Sequence, residues 1–402
     1  MESSSVPASL AHMVCASLEK FATDEIIVRV ETGEGNPRFL TYRASEPVFK
    51  PPRTLDFMLT AMCQFASARG QDLFIDGDVT TSQLANCDEF IQIWSNWRPD
   101  IYKPIRMACR NEVKPTGPVN DHAVIPFSNG VDSTFSFIAH REKLIGHLAK
   151  EIDFGFIVEG FDIALGNKTA IDVTLKNARE TLSHYDIPCV AIATNWKNDF
   201  CPNWSFGFNA GVCSILQLFS PTHGYGIFSN DHSYKEELLV GSYGSHMVTN
   251  HLLGSQNFPI ISTGGTHTRL ERVREIGKHG FLADRLRVCY QDHAAGVNCG
   301  HCEKCIRTQL EMQACGIPTD AVFPSSYALD DLKRVRAGLI STPIFLEDIL
   351  KHLNRDHSHY SEIEAVYFRE LAKFKPQSRS IGNLALRRLT NPLRKIYRRM
   401  GR

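Results

Sequence analysis

The chain has 402 residues, 43% of them hydrophobic, enough to bury the cores of two ordinary domains. Lys plus Arg and Asp plus Glu number 44 each, which excludes an overall positive field that would gather nucleic acid or acidic substrates. No apolar stretch is long enough to span a bilayer and no leader pattern opens the chain. The expectation is a cytoplasmic globular protein with reduced cysteines.

Up to about Arg110, strand-like runs at Glu25–Val30, Phe39–Arg43 and Leu73–Ile75 accompany an apolar, helix-like stretch at Leu55–Ala68. They predict a small α+β module over residues 1–117. Asn111–Asn120, with two prolines, a glycine and no apolar periodicity, marks a connection. Beyond it, strand signals at His122–Phe127, Asp153–Val158, Cys189–Ala193 and Gly224–Phe228 alternate with helical ones from Ser133, at Ile171–His184 and at Phe208–Leu218. This order predicts an α/β fold over 118–325, a Rossmann-like parallel sheet with helices on both faces. Such sheets bind ligands at the carboxyl ends of their strands, near the switch point.

Residues 326–375 predict a helical segment, most regular at Thr342–Leu353. The stretch 376–402 is basic, lacks acidic residues and interleaves Leu, Ile and Met with arginine. It reads either as a solubilising tail or as an amphipathic segment for nucleic acid or an anionic membrane.

Two motifs carry chemistry. The strand AVIPF runs into Ser128-Asn129-Gly130-Val131-Asp132-Ser133-Thr134 and then into an apolar helix. Small residues at Ser128, Asn129 and Gly130 let the backbone turn so that its N–H groups and the helix amino terminus face one anion, with Ser133 and Thr134 adding hydroxyl donors. Asp132 either orients this loop or holds Mg²⁺, and no Gly-Lys-Ser/Thr follows as in a Walker loop. The second motif is Cys289, Cys299, Cys302 and Cys305, spaced C-x9-C-x2-C-x2-C. Four thiolates close a tetrahedral Zn²⁺ site with no open position, and an iron–sulfur cluster is the competing occupant. His293 and His301 lie close enough in sequence to replace a thiolate.

The loop resembles the fingerprint of the PP-loop ATP pyrophosphatases, Ser-Gly-Gly-x-Asp-Ser after the first strand. Asn129 stands where that pattern has its first glycine, and a positive φ at Asn129 would preserve the loop. A four-cysteine zinc site near the end of the catalytic domain is characteristic of the 7-cyano-7-deazaguanine synthase (QueC-like) branch. The two motifs together span about Val124 to Cys305.

The resemblance implies that ATP, with Mg²⁺, is cleaved between its α and β phosphates, leaving AMP on a substrate carboxylate or carbonyl oxygen. It implies catalytic roles for Asp132, Ser133 and Arg269, the last standing where the family has a lysine after threonine. A surface helix charge is the other reading of Arg269. Nucleotide contacts are implied for Ser128, Asn129, Gly130, Asp132, Ser133, Thr134, Asp162 and Asn209, and substrate contacts for Asp231 and Tyr234. Two departures stand out. Phe208-Asn209 replaces an Arg-Asn pair, and the family's Asp-Cys-Arg run is absent after SNDHSYKEELL.

The implied activity is that of an ATP-dependent ligase acting on a small-molecule carboxylate, of 7-deazaguanine type or related, to give an amide or nitrile. The amino-terminal module or the basic tail would present a protein or nucleic-acid acceptor. A tRNA-thiolating enzyme and a nucleotide sensor without turnover are the alternatives on the same fold.

Overall fold

A computed structural model describes residues 13–289, 296–335 and 341–373. The strands are β1 Met13–Phe21, β2 Glu25–Glu31, β3 Arg38–Ala44, β4 Asp72–Thr80, β5 Met107–Val113, β6 His122–Pro126, β7 Glu151–Glu159, β8 Cys189–Thr194, β9 Tyr225–Ser229 and β10 Ile260–Thr263. The helices are α1 Asp56–Arg69, α2 Thr81–Trp97, α3 Val131–Arg141, α4 Lys168–Ser183, α5 Trp196–Asp199, α6 Trp204–Gln217 and α7 Tyr234–Val240. They continue as α8 Arg269–Gly277, α9 Gly280–Ala283, α10 Glu303–Ala314, α11 Leu329–Arg334, α12 Ser341–His352 and α13 Tyr360–Leu371.

All ten strands form one sheet in the order β10-β9-β6-β7-β8-β3-β2-β1-β4-β5. The block β10-β9-β6-β7-β8 is parallel throughout, and β6 and β8 read as nearly unbroken apolar runs because helices cover both their faces. By contrast β2 alternates buried and half-buried residues, Ile26, Val28 and Val30 facing inward, as suits the antiparallel β8-β3-β2-β1 region.

The amino-terminal strands therefore extend the sheet of the following segment rather than closing one of their own. The join is Tyr42 opposite Thr194 in the β3–β8 pairing. It is reinforced by Asn195, whose Oδ1 accepts from the Thr41 amide at 2.9 Å and whose Nδ2 donates to the Phe39 carbonyl at 2.8 Å. Helix α1 lies on α6, where the Trp196 indole donates to the Ala61 carbonyl at 2.8 Å and the Tyr42 hydroxyl meets Ser214 Oγ at 3.0 Å. Gln217 of α6, also buried, donates to Thr60 Oγ1, Gln83 Oε1 and the Leu253 carbonyl. One apolar core consequently runs from Val14 and Met58 through to Leu216 and Ile260.

On the opposite face α3, α4 and α8 bury Phe135, Leu182 and Val273 against the parallel block. The carboxyl-terminal helices α10–α13 share a third core with Leu270 of α8. The basic stretch from residue 374 onward, with its tail reading, lies outside the described residues, as does His293. No helix of the described residues is long and apolar enough to cross a membrane.

Candidate functional site

Strand β6 is flanked by β7 on one side and β9 on the other. The chain moves outward through α3 to β7 and later returns through α6 to β9, so the carboxyl end of β6 is a topological switch point. A crevice of about 310 Å³ opens there, in the size range of small-molecule sites. Ser128, Gly130, Val131, Asp132 and Ser133 form its floor, and Phe156, Phe161, Trp204, Phe208, Phe228 and Tyr243 make an aromatic wall. Asp162, Asp231, Arg269, Arg287 and Lys304 supply its charges.

The floor is an open helix end. Gly130, the residue capping α3, is extended at φ −69° and ψ 161°, and no side chain accepts the first N–H groups of α3. Those groups and the positive end of the helix dipole face the crevice. Asn129 has φ 57°, the left-handed turn that a glycine would otherwise provide. Its side chain turns away from the crevice toward a second cavity behind the loop, donating to Thr181 Oγ1 at 3.0 Å. Asn129→Gly keeps the turn and loses the bond, whereas Asn129→Ala loses both, so alanine should cost about 1 kcal/mol more than glycine. Urea unfolding of the two variants gives the order directly; an alanine variant at least as stable as the glycine one would contradict it.

Asp132 is gripped by two guanidinium groups. Arg269 Nη1 reaches Asp132 Oδ2 at 3.1 Å and Arg272 Nη1 reaches Oδ1 at 2.7 Å. Burial works to raise the Asp132 carboxyl, and Arg269 and Arg272 outweigh it and hold it low. Of the two roles open to Asp132, orientation of the loop is the one this geometry serves. Arg269 also pairs with buried Glu311 at 3.2 Å. Asp231, raised by burial and then by Asp132, sits at about 6.

Besides Asn129, three expected site residues fall elsewhere. Thr134 is buried beneath the loop, its amide bonded to the Gly130 carbonyl in the first turn of α3. Phe208 and Val212, one helical turn apart, face the crevice, so neighbouring Asn209 is rotated away and bonds Asn250 at 3.3 Å. Tyr234 begins α7 behind a capping box of Ser233 and Glu236. That start turns its ring onto Gly265, where it is 40% exposed.

Three residues that the sequence did not single out take part in their place: Arg287, already named in the lining, Tyr243 and Arg272. Tyr243, brought into the crevice by the loop after α7, has its hydroxyl close enough to Asp231 to act on its carboxyl. Arg272 lies one turn beyond Arg269 on α8. The signal for the latter is Thr268-x-x-Glu271, a capping box that fixes the start of α8 and puts both arginines on one side.

The four cysteines converge. Cys289 and Cys302 Sγ atoms are 3.9 Å apart, Cys299 and Cys305 are 3.8 Å apart, and all four lie within 4.8 Å of one another. Thiolates about 2.3 Å from one ion at tetrahedral angles stand about 3.8 Å apart, whereas a disulfide needs about 2.05 Å. The donor set thus fits a single tetrahedral ion, and an iron–sulfur cluster would spread the thiolates farther. Cys302 is drawn down to about 5, first by its bond with Cys305 and despite burial. His301 points instead to Asp331, 3.0 Å away.

Fold and site together define an α/β protein with a crevice lined by both carboxylates and cations at the switch point of its sheet and a four-cysteine centre able to hold a metal such as zinc. Set against protein-family models, curated proteins and solved structures, the chain matches none.

Proposed function

We propose that this chain is an ATP-dependent, AMP-forming ligase of the PP-loop type, similar to the QueC-like branch, built on a Rossmann-like nucleotide-binding sheet. The observation that carries the reading is the uncapped start of α3 facing a crevice that also holds Arg269, Arg287 and Lys304. Backbone N–H groups, a helix dipole and fixed cations are what a pyrophosphate leaving group requires. The aromatic wall beside it suits a planar base or ring.

Mg²⁺ prefers carboxylate and phosphate oxygens. Both Asp132 oxygens already face guanidinium nitrogens, so Asp162 is the crevice carboxylate that would share the ion with phosphate. ATP with Mg²⁺ supplies the electrophile, the substrate carboxylate attacks the α-phosphorus, and pyrophosphate departs. Ammonia or an amine then displaces AMP to give an amide, with dehydration to a nitrile as a further step. Zn²⁺ in the four-cysteine centre holds the fold and takes no part in these steps. A larger acceptor, protein or nucleic acid, would be presented by the amino-terminal strands or the basic tail.

Sulfur transfer to tRNA is less well supported. It needs a thiolate, and burial pushes Cys189 up to about 12, Cys201 to about 11 and Cys213 higher still.

Asp231 is suited to take a proton from the attacking nitrogen, because a group at about 6 is largely ionised at pH 7 yet still basic. Turnover should fall as the pH drops through about 6. The Tyr243 hydroxyl lowers that value, so Tyr243→Phe should move the acid limb to higher pH; an unmoved limb would remove Asp231 from this role. Adenylation itself is tested by labelling a candidate carboxylate with ¹⁸O: the isotope should pass to AMP, and AMP free of label would exclude it.

A further inference from the structure

The hairpin that carries the cysteines also borders the crevice. Arg287, two residues before Cys289, donates its amide to the Asn129 carbonyl at 2.8 Å, so the hairpin stem is bonded to the loop under α3. Its side chain lines the crevice and its Nε donates to the Gly296 carbonyl across the hairpin at 2.9 Å. Asn298 fixes the stem, accepting from Val288 at 2.8 Å and donating to the Leu286 and Val322 carbonyls. Lys304, held between Cys302 and Cys305, lines the same crevice and acts electrostatically on both Asp132 and Asp231.

Arg269 pairs with Asp132 and Glu311, Arg272 with Asp132 and backbone carbonyls, and α6 presents the uncharged Phe208. Arg287, before Cys289, and Lys304, in the first turn of α10, bring two further positive charges to the crevice from beside the cysteines.

We propose that the cysteine hairpin and the first turn of α10 together carry a phosphate clamp: Arg287 and Lys304 bind the pyrophosphate part of the nucleotide, and an ion in the four-thiolate centre holds them in place. Polyphosphate affinity is then linked to metal loading. A four-coordinate ion fixes Cys289, Cys302 and Cys305 in one geometry, and with them the directions of the residues two before Cys289 and between Cys302 and Cys305. The linkage is reciprocal, so a bound polyphosphate also tightens the hairpin. The clamp rests on the adenylation reading for the identity of its nucleotide; by itself it needs only a polyphosphate anion.

The probe is inorganic pyrophosphate, titrated calorimetrically into the full-length protein with its zinc content measured. Lys304→Met and Arg287→Met should each weaken binding roughly ten- to hundred-fold, the loss of one charge-assisted hydrogen bond, with zinc content unchanged in both and a lowered thermal midpoint only in Arg287→Met, which also gives up its bond to the Gly296 carbonyl. Lys304→Arg should retain most of the affinity. Amide exchange over residues 296–305 should slow on pyrophosphate binding in the wild type and not in Lys304→Met, a readout that does not depend on a metal-free protein staying folded. Wild-type affinity in both methionine variants, or exchange unaffected by pyrophosphate, overturns the clamp. If the variants lose pyrophosphate while the wild type releases no AMP from ATP, the adenylation reading fails and the clamp stands. AMP formed at full rate by both variants overturns the clamp and leaves adenylation standing.

Discussion

Replacing Arg272 by methionine is expected to destabilise the protein by about 3–5 kcal/mol, the usual effect of removing one partner from a buried ion pair. Arg272 is fully buried. Its guanidinium bonds Asp132, the Asn230 carbonyl and the Gly264 carbonyl, and its Nε bonds the His267 carbonyl. Methionine fills much of the volume and satisfies none of these acceptors. Against a whole-domain stability of about 5–15 kcal/mol, that loss is a large share and should show as a clearly lowered unfolding midpoint. The double variant Arg272→Met/Asp132→Leu should recover part of the loss, because it no longer leaves a buried carboxylate short of a partner. Denaturant unfolding of the singles and the double measures that coupling. A cost under about 1 kcal/mol for Arg272→Met would mean that Arg269 alone suffices for Asp132.

The largest effect is expected at the metal centre. Cys299→Ser should remove the ion, and structural zinc contributes on the order of 10 kcal/mol to folding, as much as a whole domain commonly has to lose. The region most affected is the hairpin and α10, since Cys305 begins the buried side of that helix. The helix carries Ile306 and Leu310 into the carboxyl-terminal core. Elemental analysis should find one zinc per wild-type chain and none in the variant, which should be insoluble or open to protease around residues 289–315. Wild-type protein without zinc, or coloured and containing iron, would contradict the assignment.

The parts legible in the sequence were those with local causes. The apolar run at 55–68 becomes α1, the signals at 25–30 and 39–43 become β2 and β3, and the loop from Ser128 takes the turn that asparagine at position 129 allows. The cysteine spacing likewise predicted a convergence that the Sγ distances show. What was hidden depends on partners far away in the chain. Nothing within Arg38–Ala44 announces that β3 will pair with the distant β8, Cys189–Thr194, so the amino-terminal strands looked like a separate module. Arg272 looks like a surface charge until Asp132 is set opposite it. Tyr243 could displace Tyr234 only because the chain turns at Gly241, φ 76°, and Gly244 packs its bare Cα against the Phe208 ring, a tertiary choice that no local pattern encodes.

The central claim, adenylation by cleavage between the α and β phosphates, is tested most directly by the products of ATP. The zinc-loaded full-length protein, incubated with Mg-ATP and a panel of small carboxylates, including deazaguanine carboxylates, and ammonium, should release AMP and pyrophosphate in equal amounts with at least one of them. Asp132→Ala should abolish both products. Release of ADP and phosphate, or ATP bound and left intact with every carboxylate and with added tRNA or protein acceptor, would contradict it.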